Sequence, residues 1–276
     1  MYSIPEQLGQ ATIRIIVSKN SKKYVGTGFI FKLDYGSSSK IILITNKHVI
    51  ENITSTTLIF TEAKEDRPIY GSNIEVSFDK SEIQWINHPD TNIDLAALEL
   101  RTLPSKPETQ NKSLFIRWLD ESLFPNDELW SDFSYDEEII MYGYPNGLID
   151  YYNNLPILRS GITATQPKLN FNGKEEFLTD IHNFGGSSGS PIFIIREKLQ
   201  QYNSNPGSFT LGIPKSYYFV GIHYAGESLN VKTRDSELLY YDTIGEEIDR
   251  EINIPLNIGH VIKSYKINEF KKVNFK

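Results

Sequence analysis

Short runs rich in Ile, Val, Phe, Tyr and Thr follow one another along most of the chain, and they constrain its fold more than any other feature. Turn clusters such as the Asp-Tyr-Gly-Ser-Ser-Ser segment at 34–39 separate these runs, which predicts short β-strands. No long helical pattern alternates with them, so barrels or sandwiches are favoured over a parallel sheet. The runs form two sets, residues 11–17, 24–31, 40–45, 57–61, 74–78 and 94–100, then residues 138–144, 157–166, 177–181, 191–195 and 217–224.

The stretch between the two sets differs from both in charge. From Asp120 to Glu138 there are eight acidic residues and no basic one. This predicts a solvated connection between two barrels, and the alternative is a docking or autoinhibitory surface for a basic partner. The length of 276 residues allows two small domains. We therefore expect an N-terminal β-barrel at 1–110, an acidic connection at 111–137 and a C-terminal β-barrel with a final helix at 138–276.

The final helix is predicted from a hydrophobic pattern near the end of the chain. Ile258, Val261, Ile262 and Tyr265 recur at spacings of three, one and three. That spacing suits one face of an amphipathic α-helix packed on the second barrel. The expected fold class is thus all-β with a C-terminal α-helix.

Composition excludes several classes of function. The chain has 28 basic and 35 acidic residues, and this disfavours nucleic acid as the primary partner, because phosphate binding needs clustered Lys and Arg. It has no cysteine, so disulfides, thiol nucleophiles and thiolate zinc sites are excluded. No apolar run has the length of a membrane span, and no membrane partner is expected. The N-terminus has no secretory signal pattern, which predicts a cytoplasmic protein, with a secreted mature form as the alternative.

A segment rich in glycine and serine at 185–191 reads Gly-Gly-Ser-Ser-Gly-Ser-Pro. Such a segment is either a flexible linker or a turn that presents a nucleophile. Glycines let backbone N–H groups approach a developing oxyanion with no Cβ in the way. Ser188 is the candidate nucleophile, and the N–H groups of Gly186 and Ser188 are the candidate oxyanion donors.

Two other residues have the chemistry to assist a serine nucleophile. His48 comes shortly after the apolar run at 41–44, and a neutral imidazole can take a hydroxyl proton at neutral pH. Asp94 opens the apolar run at 94–100, where its burial is unfavourable unless it is paired, and an imidazole would be a suitable partner. Taken singly, His48 is as well explained as a lone core or surface histidine, and Asp94 as a strand cap.

Together the three residues occur in the order His48, Asp94, Ser188, and with their flanking segments they resemble the chymotrypsin-like double-barrel serine endopeptidases. The resemblance is greatest to the bacterial branch that contains glutamyl endopeptidases and Htr-type proteases. It extends over roughly residues 10–265 and is carried by the segments 26–29, 45–49, 94–98, 143–145, 160–162, 186–191 and 220–226.

The resemblance implies two antiparallel six-stranded Greek-key β-barrels with the site in the cleft between them. It implies that His48 acts first as general base and then as general acid, that Asp94 orients His48, and that Ser188 forms an acyl-enzyme. The oxyanion hole would be formed by Gly186 and Ser188. The implied substrates are proteins or peptides, and no metal or cofactor is required.

One departure from the family concerns activation. In the animal digestive members the residue before the nucleophile is Asp, which pairs with a new N-terminal amine after zymogen cleavage. This chain has Ser187 there, and a neutral hydroxyl cannot form that ion pair. We therefore predict that activation by N-terminal insertion is absent.

A second departure concerns the primary specificity pocket. His223 corresponds to the histidine at the back of this pocket in glutamyl endopeptidases, and it could receive an acidic side chain as a cation or as a neutral donor. Those relatives have Thr or Ser five positions before the nucleophile, where this chain has Asn183, which could equally favour Gln or another polar group. His223 could also simply satisfy backbone groups inside the barrel. Gly226 would offer backbone hydrogen bonds to an extended substrate.

The leading hypothesis is an active serine endopeptidase that prefers acidic or polar residues before the scissile bond. The alternatives are a catalytically silent module of the same fold that holds an extended peptide, and an esterase acting on small acyl groups. Because uncontrolled proteolysis inside a cell would be harmful, regulation by a protein partner or a latent conformation is also expected.

Overall fold

Runs rich in β-branched and aromatic residues, separated by turn residues, form antiparallel strands along most of the described chain. The computed structural model describes residues 2–197, 200–202, 210–212, 215–233 and 250–275. The N-terminal strands are β1 (Thr12–Lys19), β2 (Lys22–Asp34), β3 (Ser39–Thr45), β4 (Ser55–Lys64), β5 (Arg67–Asp79), β6 (Ile86–Asn87), β7 (Ala96–Glu99) and β8 (Ser113–Phe115).

These eight strands form one sheet in the order β5-β4-β1-β2-β3-β7-β6, with β8 paired to β4. This sheet, which we call the first barrel, therefore has more strands than the six implied by the resemblance. Two of the additional pairings involve short strands, because β6 has two residues and β8 has three.

The second half of the chain contains a closed barrel of six strands in the order β10-β11-β16-β15-β12-β9, together with the separate pair β13-β14. Its closure and the mostly-β content of the chain confirm the expected chymotrypsin-type fold class. The strands are β9 (Glu138–Gly143), β10 (Ile157–Thr163), β11 (Glu176–Asp180), β12 (Pro191–Glu197), β13 (Gln200–Tyr202), β14 (Thr210–Gly212), β15 (Lys215–Thr233) and β16 (Arg250–Lys263).

The helical segments of the described residues are short. The α-helices are α1 (Ile4–Gln10), α2 (Lys47–Ile50) and α3 (Asp127–Asp132), and the 3₁₀ segments are Leu100–Thr102, Pro107–Thr109, Glu121–Leu123, Pro145–Gly147, Phe171–Gly173 and Ser264–Lys272. None of these helices has the length and apolar character needed to cross a membrane.

The predicted C-terminal α-helix is wrong. Ile258, Val261 and Ile262 lie in β16, where they pair with residues of β11, and only Tyr265 belongs to a helical segment. The strand prevails because β-branched residues favour it and because β16 completes the barrel. The segment that follows, Ser264–Lys272, is a 3₁₀ helix in which Ser264, Ile267 and Phe270 are buried. A spacing of three places these side chains on one face of a helix with three residues per turn.

Aromatic rings join the two sheets. Phe29 and Phe31 of β2 lie against Phe219 of β15, and Phe193 of β12 contacts the same ring. The centroids of Phe29 and Phe219 are 5.3 Å apart with the rings edge to face, and all four side chains are fully buried. Burying each ring stabilises the fold by about 1.5–3 kcal/mol. This contact holds the start of β12 close to β2.

The acidic stretch between the barrels is partly neutralised by pairing with the second barrel. Arg196 of β12 binds Glu137 in bidentate fashion, at 2.5 and 3.0 Å, and also contacts Asp132. These carboxylates raise the pKa of the Arg196 guanidinium, with the hydrogen bonds that Arg196 donates to Glu137 as the largest cause. Glu121 pairs with Lys271 at 2.5 Å. The segment therefore packs along the barrel at these points, and a role in docking a basic partner stays a prediction.

Candidate active site

His48 and Asp94 are brought together by the pairing of β3 with β7. Thr45 at the end of β3 lies opposite Ala96 at the start of β7. The segment that follows β3 and carries His48 therefore shares one edge of the sheet with the segment that precedes β7 and carries Asp94. Asp94 Oδ2 lies 2.6 Å from His48 Nδ1, and Asp94 Oδ1 accepts a hydrogen bond from the His48 backbone N–H at 3.2 Å. Both carboxylate oxygens are thus used on one residue, which fixes the orientation of the imidazole.

A buried asparagine supports this pair from behind. Asn46 precedes α2 and is fully buried, and its Nδ2 donates to the Asp94 carbonyl oxygen at 2.7 Å. The backbone of Asp94 is therefore tied to the segment that presents His48.

Ser188 lies in the turn before β12, which Thr27 of β2 contacts. Its Oγ donates to the carbonyl oxygen of Tyr224 at 3.4 Å. Among the hydrogen bonds of the described residues there is none between Ser188 and His48. Catalytic hydrogen bonds are often formed only when substrate is bound, so the Ser188 hydroxyl would have to rotate towards the imidazole for catalysis.

The turn around Ser188 leaves two N–H groups available. Within the described part of the chain, neither the Gly186 N–H nor the Ser188 N–H donates to another protein group. Gly186 has a φ of +89° and stands third in the turn closed by the Ser187 N–H and the Phe184 carbonyl, a position that requires positive φ. A Cβ at Gly186 would overlap the Tyr144 carbonyl oxygen. The two free donors are those expected for an oxyanion hole.

Ser187 closes the turn from within. It is fully buried, its N–H donates to the Phe184 carbonyl at 3.0 Å, and its Oγ accepts from the Phe184 N–H at 3.4 Å. Its own carbonyl accepts from the Ser190 N–H at 3.1 Å. The polar groups of Ser187 are thus satisfied without an ion pair from an N-terminal amine, and the absence of that mode of activation stays a prediction.

Asn183 and Gly226 lie in direct contact. Asn183 is buried, and its Nδ2 donates to the Ile181 carbonyl at 3.2 Å. Its Oδ1 lies against Gly226, where a Cβ would overlap it. The Asn183 side chain therefore crosses towards the strand that would bind an extended substrate.

His223 is buried on β15 and lies close to Gly259 of β16. Burial lowers the pKa of His223 to about 4, and the nearby His260, His48 and Arg159 act in the same direction. The ring is therefore neutral at pH 7, which favours the neutral-donor role over the cationic one. Its Nδ1 has no hydrogen-bond partner among the described residues.

Several residues that position the site were not identified from the sequence. Tyr224 holds the Ser188 hydroxyl through its carbonyl, and its own phenol donates to Glu176. Burial is the largest cause of the raised pKa of this phenol, followed by the contact with Glu176. Thr27 contacts the turn around Ser188 through both backbone and side chain. Tyr224 and Thr27 lie in segments that carried the family resemblance, but nothing in the amino-acid sequence of these segments indicated the contacts.

A cavity of about 380 Å³ lies beside Asp94, between the two barrels. Its walls include Asp90, Asn92, Asp94, Glu175, Glu176 and Tyr224. Among the described residues no three His, Asp or Glu side chains converge as metal ligands would.

Comparison with known proteins agrees with this architecture. A family model described as a trypsin-like peptidase domain matches residues 26–199. No curated protein sequence matches the chain.

Many solved structures have similar folds, among them two proteases. An HtrA-type protease, AlgW, solved with a tripeptide, is 14% identical with a TM-score of 0.52. The match covers 98% of this chain and 63% of that one, so the chain spans less than two thirds of the HtrA-type protease. Tobacco etch virus protease, solved with its product, is 12% identical with a TM-score of 0.50, over 99% of this chain and 81% of that one. At these identities the likeness concerns the fold alone.

Proposed function

Since this chain belongs to the trypsin-like peptidase family, we propose that it is a chymotrypsin-like serine peptidase in which Ser188, His48 and Asp94 hydrolyse peptide bonds in protein or peptide substrates. The observation that carries the proposal is the two-point contact between Asp94 and His48, with a distance of 2.6 Å from Oδ2 to Nδ1. It leaves Nε2 as the ring nitrogen that faces away from Asp94 and is available to a hydroxyl group.

Each group has a defined step in the reaction. Ser188 Oγ attacks the substrate carbonyl carbon while His48 Nε2 takes the hydroxyl proton, and Asp94 stabilises the resulting imidazolium. The oxyanion of the tetrahedral intermediate accepts hydrogen bonds from the N–H groups of Gly186 and Ser188. When the C–N bond breaks, the amine leaves with the proton from His48, and the acyl group remains on Ser188. A water molecule, deprotonated by His48, then hydrolyses the ester.

The substrate would bind as an extended strand beside Tyr224 and Gly226, adding backbone hydrogen bonds to the edge of the cleft. For the residue before the scissile bond we propose an acidic or polar side chain. The supporting groups are the amide of Asn183 and the neutral imidazole of His223. A positive charge also lies near Asn183. The Arg159 guanidinium is 4.8 Å from the ring centroid of Phe184, the residue that follows Asn183.

Regulation by a partner or a latent conformation is part of the proposal. The Ser188 hydroxyl donates to the Tyr224 carbonyl, which is a resting position because His48 must accept that proton during catalysis. A ligand or partner that shifts the hydroxyl towards His48 would increase the active population.

The test compares the wild type with Ser188→Ala, using a fluorophosphonate probe and a mixed peptide library read by mass spectrometry. Loss of the nucleophile should lower the rate by about 10⁴-fold or more. Labelling and cleavage confined to the wild type are the expected result. Cleavage sites mainly after Arg, Lys or large aromatic residues would contradict the proposed specificity.

The same experiment separates the alternatives. Labelling without peptide cleavage, together with turnover of small esters, would favour an esterase. A wild type that binds peptides but neither labels nor cleaves would favour a silent binding module. Rapid, unselective cleavage of unfolded proteins by the purified chain would contradict latency.

A further inference from the structure

We propose that the side-chain hydroxyl of Thr27 is a positioning group for the oxyanion hole, acting from the first barrel on the turn that carries Ser188. The inference rests on the proposed function, because it assigns a role in the same reaction. It concerns a residue of β2 that does not touch the reacting atoms.

Thr27 contacts the turn around Ser188 at three points. Its backbone N–H donates to the Ser188 carbonyl at 3.0 Å, and its Oγ1 donates to the Gly186 carbonyl at 2.7 Å. Its own carbonyl oxygen lies so close to Gly189 that a Cβ there would overlap it. Thr27, a residue of the first barrel, therefore contacts most of the turn around Ser188.

The direction of the Thr27 hydroxyl proton follows from its second partner. The Tyr144 backbone N–H lies 3.1 Å from Thr27 Oγ1 and can act only as a donor. Oγ1 must accept that hydrogen bond, so its own proton points to the Gly186 carbonyl. Thr27 is fully buried, which leaves water unable to replace either bond.

These bonds fix the peptide planes on both sides of Gly186. The Asn146 N–H donates to the Gly185 carbonyl at 2.5 Å, and this sets the plane that contains the Gly186 N–H. In a trans peptide the N–H points opposite to the C=O, so this donor is directed away from Asn146. The Thr27 hydroxyl sets the next plane through the Gly186 carbonyl. Glycine rotates freely between such planes, so the donor direction depends on both anchors.

Replacing Thr27 by valine keeps the side-chain shape and removes the hydroxyl. The Tyr144 N–H would then be buried without a partner and the partly buried Gly186 carbonyl would lose its donor, and rotation about Gly186 would relieve this. That rotation moves the oxyanion donors. Deleting a whole oxyanion donor lowers kcat by about 10²–10³-fold, so a misdirected one should lower it by about 10- to 100-fold.

The experiment measures kcat and KM on one peptide substrate for the wild type, Thr27→Val, Thr27→Ser and Thr56→Val. Thr56 is a matched control, because it is a fully buried threonine of the first barrel whose Oγ1 has no partner among the described residues. We expect Thr27→Val to lower kcat with little change in KM, Thr27→Ser to retain at least half of the wild-type kcat, and Thr56→Val to behave as wild type. Equal effects of Thr27→Val and Thr56→Val would overturn the proposal.

A second readout does not depend on activity. The Tyr144 amide should exchange with solvent deuterium faster in Thr27→Val than in the wild type or Thr56→Val. Unchanged exchange would overturn the role of Thr27, whereas a wild type that cleaves nothing would overturn only the proposed function. If Thr27→Val does not fold, Thr27→Ala and Thr27→Ser give the same comparison, and equal kcat values for these two would overturn the proposal.

Discussion

The two halves of the site are built in different ways. In the first barrel, the Asp94 carboxylate contacts the His48 imidazole directly, and the Asn46 amide holds the Asp94 backbone carbonyl. In the second barrel, the turn around Ser188 is held mainly by backbone hydrogen bonds and by glycines with positive φ. The first half is therefore sensitive to side-chain chemistry, whereas the second is sensitive to backbone geometry and to its contact with the first.

The largest effect should come from the side-chain half, with Asp94→Asn. The His48 backbone N–H needs an acceptor, so the amide oxygen of the variant would face it and the NH₂ group would face Nδ1. Nδ1 would then accept, which places the proton on Nε2 and prevents that atom from taking the Ser188 proton. We expect kcat to fall by about 10⁴-fold with a nearly unchanged melting temperature, measured by peptide hydrolysis and calorimetry.

The control is Asp34→Asn, which removes the same charge from a hairpin where the carboxylate caps the Gly36 N–H. It should leave kcat within about twofold of the wild type. A similar loss in both variants would mean that net charge, not tautomer control, is responsible.

The backbone half is tested by Gly189→Ala, which should mainly affect stability. Gly189 has a φ of +89°, and its Cβ would overlap the Thr27 carbonyl, a backbone atom that cannot move aside. Left-handed strain of roughly 1–2 kcal/mol and overpacking of roughly 1–3 kcal/mol should lower the free energy of unfolding by about 4 kcal/mol. Urea denaturation measures it.

Gly36→Ala separates the two causes. Gly36 has a similar φ of +82° but nothing within 4 Å of the added Cβ. Only the left-handed backbone strain applies at Gly36, so we expect Gly36→Ala to lower the free energy of unfolding by about 1 kcal/mol. Equal losses at the two glycines would show that the contact with Thr27 is unimportant and would weaken the comparison drawn above.

Controls aside, the smallest of the expected effects concerns His223 and pH. Its pKa is lowered to about 4 by burial in the folded state, whereas an unfolded histidine titrates near 6.5. The unfolded state therefore binds the proton first, and stability falls as pH drops from about 6.5 towards 4, by up to about 3 kcal/mol.

We expect the wild type to lose more stability over this interval than His223→Gln, which has no group titrating there. Urea denaturation at several pH values measures the difference. Parallel curves for the two proteins would mean that the His223 ring is not held neutral by burial.

The sequence offered candidates for the residues that carry chemistry, whose roles stay predictions, but it did not indicate the contacts that hold them. The strand runs and the order of His48, Asp94 and Ser188 were visible because each has a local pattern. No local pattern indicated the pairing of β16 with β11. The hydrophobic spacing from Ile258 to Tyr265 therefore predicted a helix instead of a strand. Thr27 and Gly186 are 159 positions apart in the sequence. Their contact uses a backbone carbonyl, which every residue has, so the residue types alone could not predict it.

The same long separation has a consequence for the newly made chain. When only the first barrel has left the ribosome, His48 and Asp94 are present but Ser188 is not. In a second barrel that has not docked, the turn around Ser188 lacks its contact with Thr27. The aromatic contact of Phe29 and Phe31 with Phe219 forms only when the two halves dock. The proposed hydrolysis would therefore require both halves to have docked, and a chain without its second barrel would lack the nucleophile.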